Sequence, residues 1–93
     1  VLGVMEMSPG SYLVQVNSSI GEINEKLKIN VPKGEYETLA GFLLQQFNRI
    51  PTAGDELYFA NFKVRVHRAS EKAIETVIIE VHRADDEEEG GEK

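Results

Sequence analysis

With 93 residues, no cysteine and a formal net charge of −6, the chain has room for one domain around one modest core, and it excludes disulfide frameworks, thiolate nucleophiles and cysteine metal sites. The charge is lopsided: residues 85–93 hold six of the sixteen acids and one of the ten Lys and Arg, which leaves the body at −1. A near-neutral body without clustered Lys and Arg disfavours nucleic acid and anionic membrane surfaces as partners.

No apolar run reaches the length of a membrane span, and the start has no basic segment followed by an apolar block, as a secretory leader would. Opening on Val1, the chain reads as a piece of a longer protein. Residues 1–9 read as a lead-in or linker: Val1, Leu2, Val4 and Met5 suit either an edge strand or linker, and Ser8-Pro9-Gly10 signals a turn. Residues 10–84 read as the domain and residues 85–93 as an acidic, disordered tail, because like charges without apolar residues cannot collapse.

Within the domain, residues 11–16 alternate as a strand, with Tyr12, Val14 and Val16 on one face. Ser19-Ile20-Gly21-Glu22 fits a capping box and opens a helix over 19–28 whose apolar side is Ile20, Ile23 and Leu27. Ile29 and Val31 plug the connector to the next helix, and Pro32 keeps Val31 extended. The second helix, expected over 38–48, is the centre of the chain. Thr38 caps it, Pro51 forbids continuation, and Tyr36, Leu39, Ala40, Leu43, Leu44 and Phe47 form its stripe.

From Asp55 the period becomes two. A two-residue loop at Ala60-Asn61 predicts a hairpin with Phe59 opposite Phe62, Leu57 opposite Val64 and Glu56 opposite Arg65. A turn over 69–72 then leads to a last strand over 73–83. Pairing Arg68 with Ala73 would set Val64 opposite Val77 and Phe62 opposite Ile79. That register predicts a buried set of Leu39, Leu43, Phe47, Phe59, Phe62, Val64 and Val77, and it leaves Ile74 and Ile78 exposed on an outer face, a docking patch unless the lead-in covers them. The fold class expected is α+β: two helices packed on one face of a small, mostly antiparallel sheet, in the order β-α-α-β-β-β.

The candidate chemistry is sparse, and the expectation is no catalytic, no cofactor-binding and no metal-binding residues. His67 and His82 would stand roughly 25 Å apart along the strands, too far to share an ion. Asp55-Glu56 and Glu35/Glu37 offer carboxylates, but neighbours on a strand point to opposite faces and no EF-hand spacing is present. Arg49 is placed to meet the carbonyls that end the second helix. No Ser–His–Asp arrangement, glycine-rich dinucleotide loop or P-loop is found, so the chain is not expected to be an enzyme.

In order and spacing, Ser11-Tyr12-Leu13-Val14, Ile23-Asn24-Glu25, Val31-Pro32, Tyr36-Glu37-Thr38-Leu39-Ala40-Gly41, Arg49-Ile50-Pro51 and Gly54-Asp55 resemble the CorC/HlyC transporter-associated domain. Family members often carry Gly at the place of Asn48 and a glycine-rich turn at Ala60-Asn61; Asn and Ala-Asn also suit turns. The resemblance implies a non-catalytic, regulatory domain on the cytoplasmic side of the cell membrane, part of a membrane protein with transmembrane and CBS domains that exports magnesium or cobalt or carries the name haemolysin. It implies those domains as partners, with a homodimer as a further option. A cation/proton antiporter or a soluble interaction adaptor are the alternatives. The family's fold is grouped by shape with a FAD-binding superfamily, but no glycine-rich phosphate loop supports a flavin here, and no cofactor is expected.

Overall fold

The computed structural model describes residues 3–32 and 34–82. The tail expected at 85–93 lies outside these residues. Seven elements follow in chain order: β1 (Val4–Ser8), β2 (Ser11–Gln15), α1 (Ile20–Leu27), α2 (Leu39–Phe47), β3 (Glu56–Tyr58), β4 (Phe62–Ala69) and β5 (Ile74–Val81). The strands form one sheet in the order β1-β2-β5-β4-β3, every neighbouring pair antiparallel. Both helices cover one face of it, because the buried residues of α1 and α2 share a single apolar cluster with Val14, Val64, Val77 and Ile79 of the sheet. This is the α+β arrangement expected, with β1 added in front. Pro9-Gly10 makes the β1–β2 turn, in which Gly10 takes φ +83°, a value closed to most side chains.

The helix ends follow their capping chemistry. Ser19 Oγ accepts the Glu22 N–H at 3.1 Å, and Thr38 Oγ1 accepts the Gly41 N–H at 3.4 Å. The reciprocal half of the expected capping box, from the Glu22 side chain, is not made. Lys28 and Asn48 close the helices in the left-handed conformation, at φ 59° and 61°. The two N-termini also serve each other: Ile20 N–H donates to Glu37 O and Leu39 N–H to Ser18 O, both at 3.0 Å. First-turn N–H groups have no partner inside their own helix, so each segment entering one helix satisfies the start of the other.

The buried face of α2 differs from the expected stripe. Leu39, Phe42 and Leu43 are buried, Leu44 is 39% exposed, and Phe47 is only half-buried. Tyr36 lies before the helix proper, so counting the period from it turned the stripe towards Leu44 and missed Phe42. Phe42 is the hub of the aromatic core. Its ring lies 5.6 Å from Tyr36 and 5.7 Å from Phe59, and Phe59 stacks on Phe62 at 4.6 Å. Phe59 itself is half-buried, while Phe62, Val64 and Val77 are buried.

The β3–β4 hairpin has the expected register, with Glu56 opposite Arg65 and Leu57 opposite Val64. The β4–β5 pairing does not. Val64 faces Ile79, Phe62 faces Val81 and Ala69 faces Ile74, two positions from the expected register. Strand β4 runs on to Ala69, and the turn sits at Ser70, whose Oγ accepts the N–H groups of Lys72 and Ala73 at 3.2 Å. Two irregularities follow: His67 is extra on β4, and Glu75 is extra on β5. Each shifts the side-chain alternation by one position. Arg68 therefore turns outwards while Ala69 and Ile74 turn into the core.

Ile74 and Ile78 are each only 6% exposed, so neither forms the docking patch expected from the sequence. Ile74 joins the core through the Glu75 bulge. Ile78 stays on the far face, flanked by Leu13 of β2 and Arg65 of β4, and the aliphatic stem of Arg65 is placed to shield it.

Candidate functional site: the helix-free face of the sheet

With one face committed to the helices, the other is the surface left for contact. Its side chains run in rows set by the register. One row passes from Met5 through Leu13, Ile78 and Arg65 to Glu56, and the next from Ser11 through Glu80 and Lys63 to Tyr58. The face is therefore apolar at the β1–β2 side and charged at the β3–β4 side. At the apolar side Gly3, Val4, Met5, Leu13, Gln15 and Thr76 line a shallow cavity of about 210 Å³.

The charged side neutralises itself. Lys63 Nζ lies 3.4 Å from Glu80 and 3.8 Å from Glu56, and Arg65 lies 3.9 Å from Glu56. The Tyr58 hydroxyl donates to Glu56, and the Lys63 ammonium stands 5.6 Å from the Tyr58 ring centre. Donation to the Glu56 carboxylate raises the Tyr58 pKa above the ordinary phenol range, since a phenolate there would face a like charge. These carboxylates have basic partners in place.

The other sequence candidates do not converge. Asp55 turns away from Glu56 to accept the Thr52 N–H at 3.0 Å and to pair with Arg49 at 3.2 Å. Arg49 thus meets Asp55 and the Phe47 ring rather than the α2 carbonyls. His67 Nδ1 lies 3.1 Å from Thr76 Oγ1, and the His82 N–H donates to Asn61 O. Glu35 and Glu37 are exposed. Among the described residues no group of three or more His, Cys, Asp or Glu is arranged to hold a metal ion, and no helix is long and apolar enough to cross a membrane.

The Thr52 N–H bond, foremost, and the Arg49 guanidinium hold the Asp55 carboxyl below its usual range. A lowered folded pKa adds stability above the unfolded value, and that stability is lost as pH falls through the folded value. Asp55→Asn should therefore melt below the parent chain at neutral pH, with the gap closing below about pH 4. Thermal melts of both chains across that range check this; a gap of constant size would mean that the charge is not what holds the turn.

The residues that carry the sequence motif build the scaffold. The Asn24 amide clamps the connector, accepting the Val31 N–H at 2.7 Å and donating to Val31 O at 3.2 Å. Tyr36 Oη donates to Pro32 O at 2.9 Å. Gly41 lies against Tyr36, where a Cβ would come within 2.7 Å of the Tyr36 Cβ. Gly54 N–H donates to Val66 O, and Val66 N–H to Asp55 O, both at 2.8 Å, stitching the α2–β3 loop to β4.

Fold and motif together define a small α+β domain whose signature residues are spent on its own architecture. Residues 5–83 match the CorC_HlyC transporter-associated domain family, and the chain belongs to it. It is 34% identical over 55 residues to a chloroplastic DUF21 domain-containing protein of Arabidopsis thaliana, covering 58% of this chain and 8% of that one. It is 21% identical over 71 residues to the magnesium and cobalt efflux protein CorC of Buchnera aphidicola, covering 76% of this chain and 25% of that one. The chain thus spans a quarter or less of these relatives. The same fold is found in the transporter-associated domain CorC_HlyC from Nitrosomonas europaea, with a TM-score of 0.77, 24% identity and coverage of 87% and 96% of the two chains.

Proposed function

We propose that this chain is a non-catalytic, regulatory domain of a larger membrane protein that moves divalent cations, magnesium or cobalt, out of the cell. In this reading it lies on the cytoplasmic side and acts by touching the transmembrane and CBS domains of the same protein. The observation that carries the reading is the family match over residues 5–83, joined to a matched relative named as a magnesium and cobalt efflux protein. The geometry supports it: the motif residues hold the fold together, and the face left over is suited to docking. A docked domain shifts a transporter between conformations only by contacting one conformation better than the other.

Deleting residues 5–83 from the full-length protein should change magnesium or cobalt efflux severalfold at matched membrane levels. Efflux assays in cells or vesicles read this out. Unchanged efflux from the deleted protein would reject a regulatory role in transport.

A further inference from the structure

The two edges of the sheet are protected unequally. Edge strand β3 is three residues long, and its Glu56 and Tyr58 are tied into the Lys63–Arg65 network. Edge strand β1 is five residues long and contains neither Lys nor Pro, so one charge, Glu6, and the bulge at its far end are all that blunt it. It also holds two of the large exposed apolar side chains, Met5 at 59% and Met7 at 52%.

The outward hydrogen-bonding groups of β1 can be assigned. Gln15 N–H donates to Gly3 O, and the register continues through Val4–Val14, Met5–Leu13 and Glu6–Tyr12. In an antiparallel ladder the bonded pairs alternate. Gly3 and Met5 therefore bond inwards to β2, while the N–H and C=O of Val4 and Glu6 point out along the free edge.

We propose that this edge pairs with the same edge of a second copy of the chain, antiparallel about a two-fold axis at Met5. Only in-phase registers let the Val4 and Glu6 groups bond, and the candidates are then few. An axis at Glu6 sets acid against acid. An axis at Met5 sets Glu6 beside Val4 of the second copy and joins both pairs by hydrogen bonds. Met5 then meets Met5 next to Leu13 on the helix-free face, and Met7 falls across from Gly3 of the second copy. Gly3 lines the 210 Å³ cavity, so an exposed methionine on each copy meets an open apolar hollow on the other. The patch is self-complementary, as a two-fold interface requires. The irregularity between Glu6 and Ser8 ends the pairing there, which keeps the contact short and the dimer reversible.

This self-association goes beyond the proposed role in transport and does not depend on it. The absence of native cysteine gives a direct test. Opposed residues at a non-bonded antiparallel position lie about 4.5 Å apart at Cα, within disulfide reach. Under mild oxidation, purified Met5→Cys should lose most of its monomer to a covalent dimer, while Tyr58→Cys on the other edge, 70% exposed in the native chain, should stay largely monomeric. In sedimentation equilibrium the native chain should dimerise as its concentration rises towards about 1 mM. Glu6→Pro, which removes an outward N–H and leaves the β1–β2 ladder whole, should abolish that dimer without lowering the thermal melt. Equal cross-linking of the two cysteine variants, or a native chain that stays monomeric throughout, would overturn the proposal.

Discussion

Replacing Phe42 with alanine is expected to lower the unfolding free energy by about 3–5 kcal/mol, the usual loss for a buried aromatic side chain. The ring is fully buried and is the joint between two parts of the structure. It meets Tyr36, which holds the connector before α2, and Phe59, which stacks on Phe62 at the end of the β3–β4 hairpin. Alanine would leave a cavity facing two rings at once: Tyr36 is held by its hydrogen bond to Pro32 and lies against Gly41, and Phe59 is stacked on Phe62. Urea unfolding followed by circular dichroism measures the loss. A change below about 1 kcal/mol would mean that the site collapses around the deletion.

The adjacent leucines of α2 give the second large effect and its control. Leu43→Ala should cost about 2–5 kcal/mol, because Leu43 is fully buried. Leu44→Ala should stay within about 0.5 kcal/mol, since Leu44 is 39% exposed and alanine is the better helix former. The same unfolding assay reads both. Equal losses would place the buried stripe of α2 along the line through Leu44 that the sequence period suggested.

That contrast shows where the sequence was legible. Helix starts could be read because capping is local: Ser19 and Thr38 act within a few residues of themselves. The β3–β4 register was legible because a tight loop leaves only one pairing that sets apolar against apolar. The face of α2 was not, because Leu39–Phe47 is apolar nearly all round and its period has no sharp phase. The β4–β5 register was hard to read for a similar reason. Val77-Ile78-Ile79 is a continuous apolar run, so pairings two positions apart both set apolar against apolar. On the candidate surface the Glu56–Arg65 pair could be read from the hairpin. The Lys63–Glu80 contact could not, because it depends on the β4–β5 register. The assignment of Ile74 to the outer face failed with the bulge at Glu75, whereas Ile78 is on the outer face as expected but is buried there between Leu13 and Arg65.

The two irregularities of the β4–β5 hairpin behave like a pair of compensating frameshifts. One surplus residue, His67, puts the outer end of β4 out of phase, and a second, Glu75, does the same to β5. Because both strands slip, the tip is in step with itself and Ala69 still meets Ile74. The chain length of this hairpin is therefore constrained jointly rather than site by site. Losing Glu75 alone, with the ladder then pairing residue for residue, would swing Arg68 towards the core, and losing His67 alone would carry Ile74 into water. Losing both would restore an unbroken ladder with every side chain on its present face. Length variation at this tip is thus expected to be tolerated in matched pairs, one residue from each strand, and resisted one residue at a time.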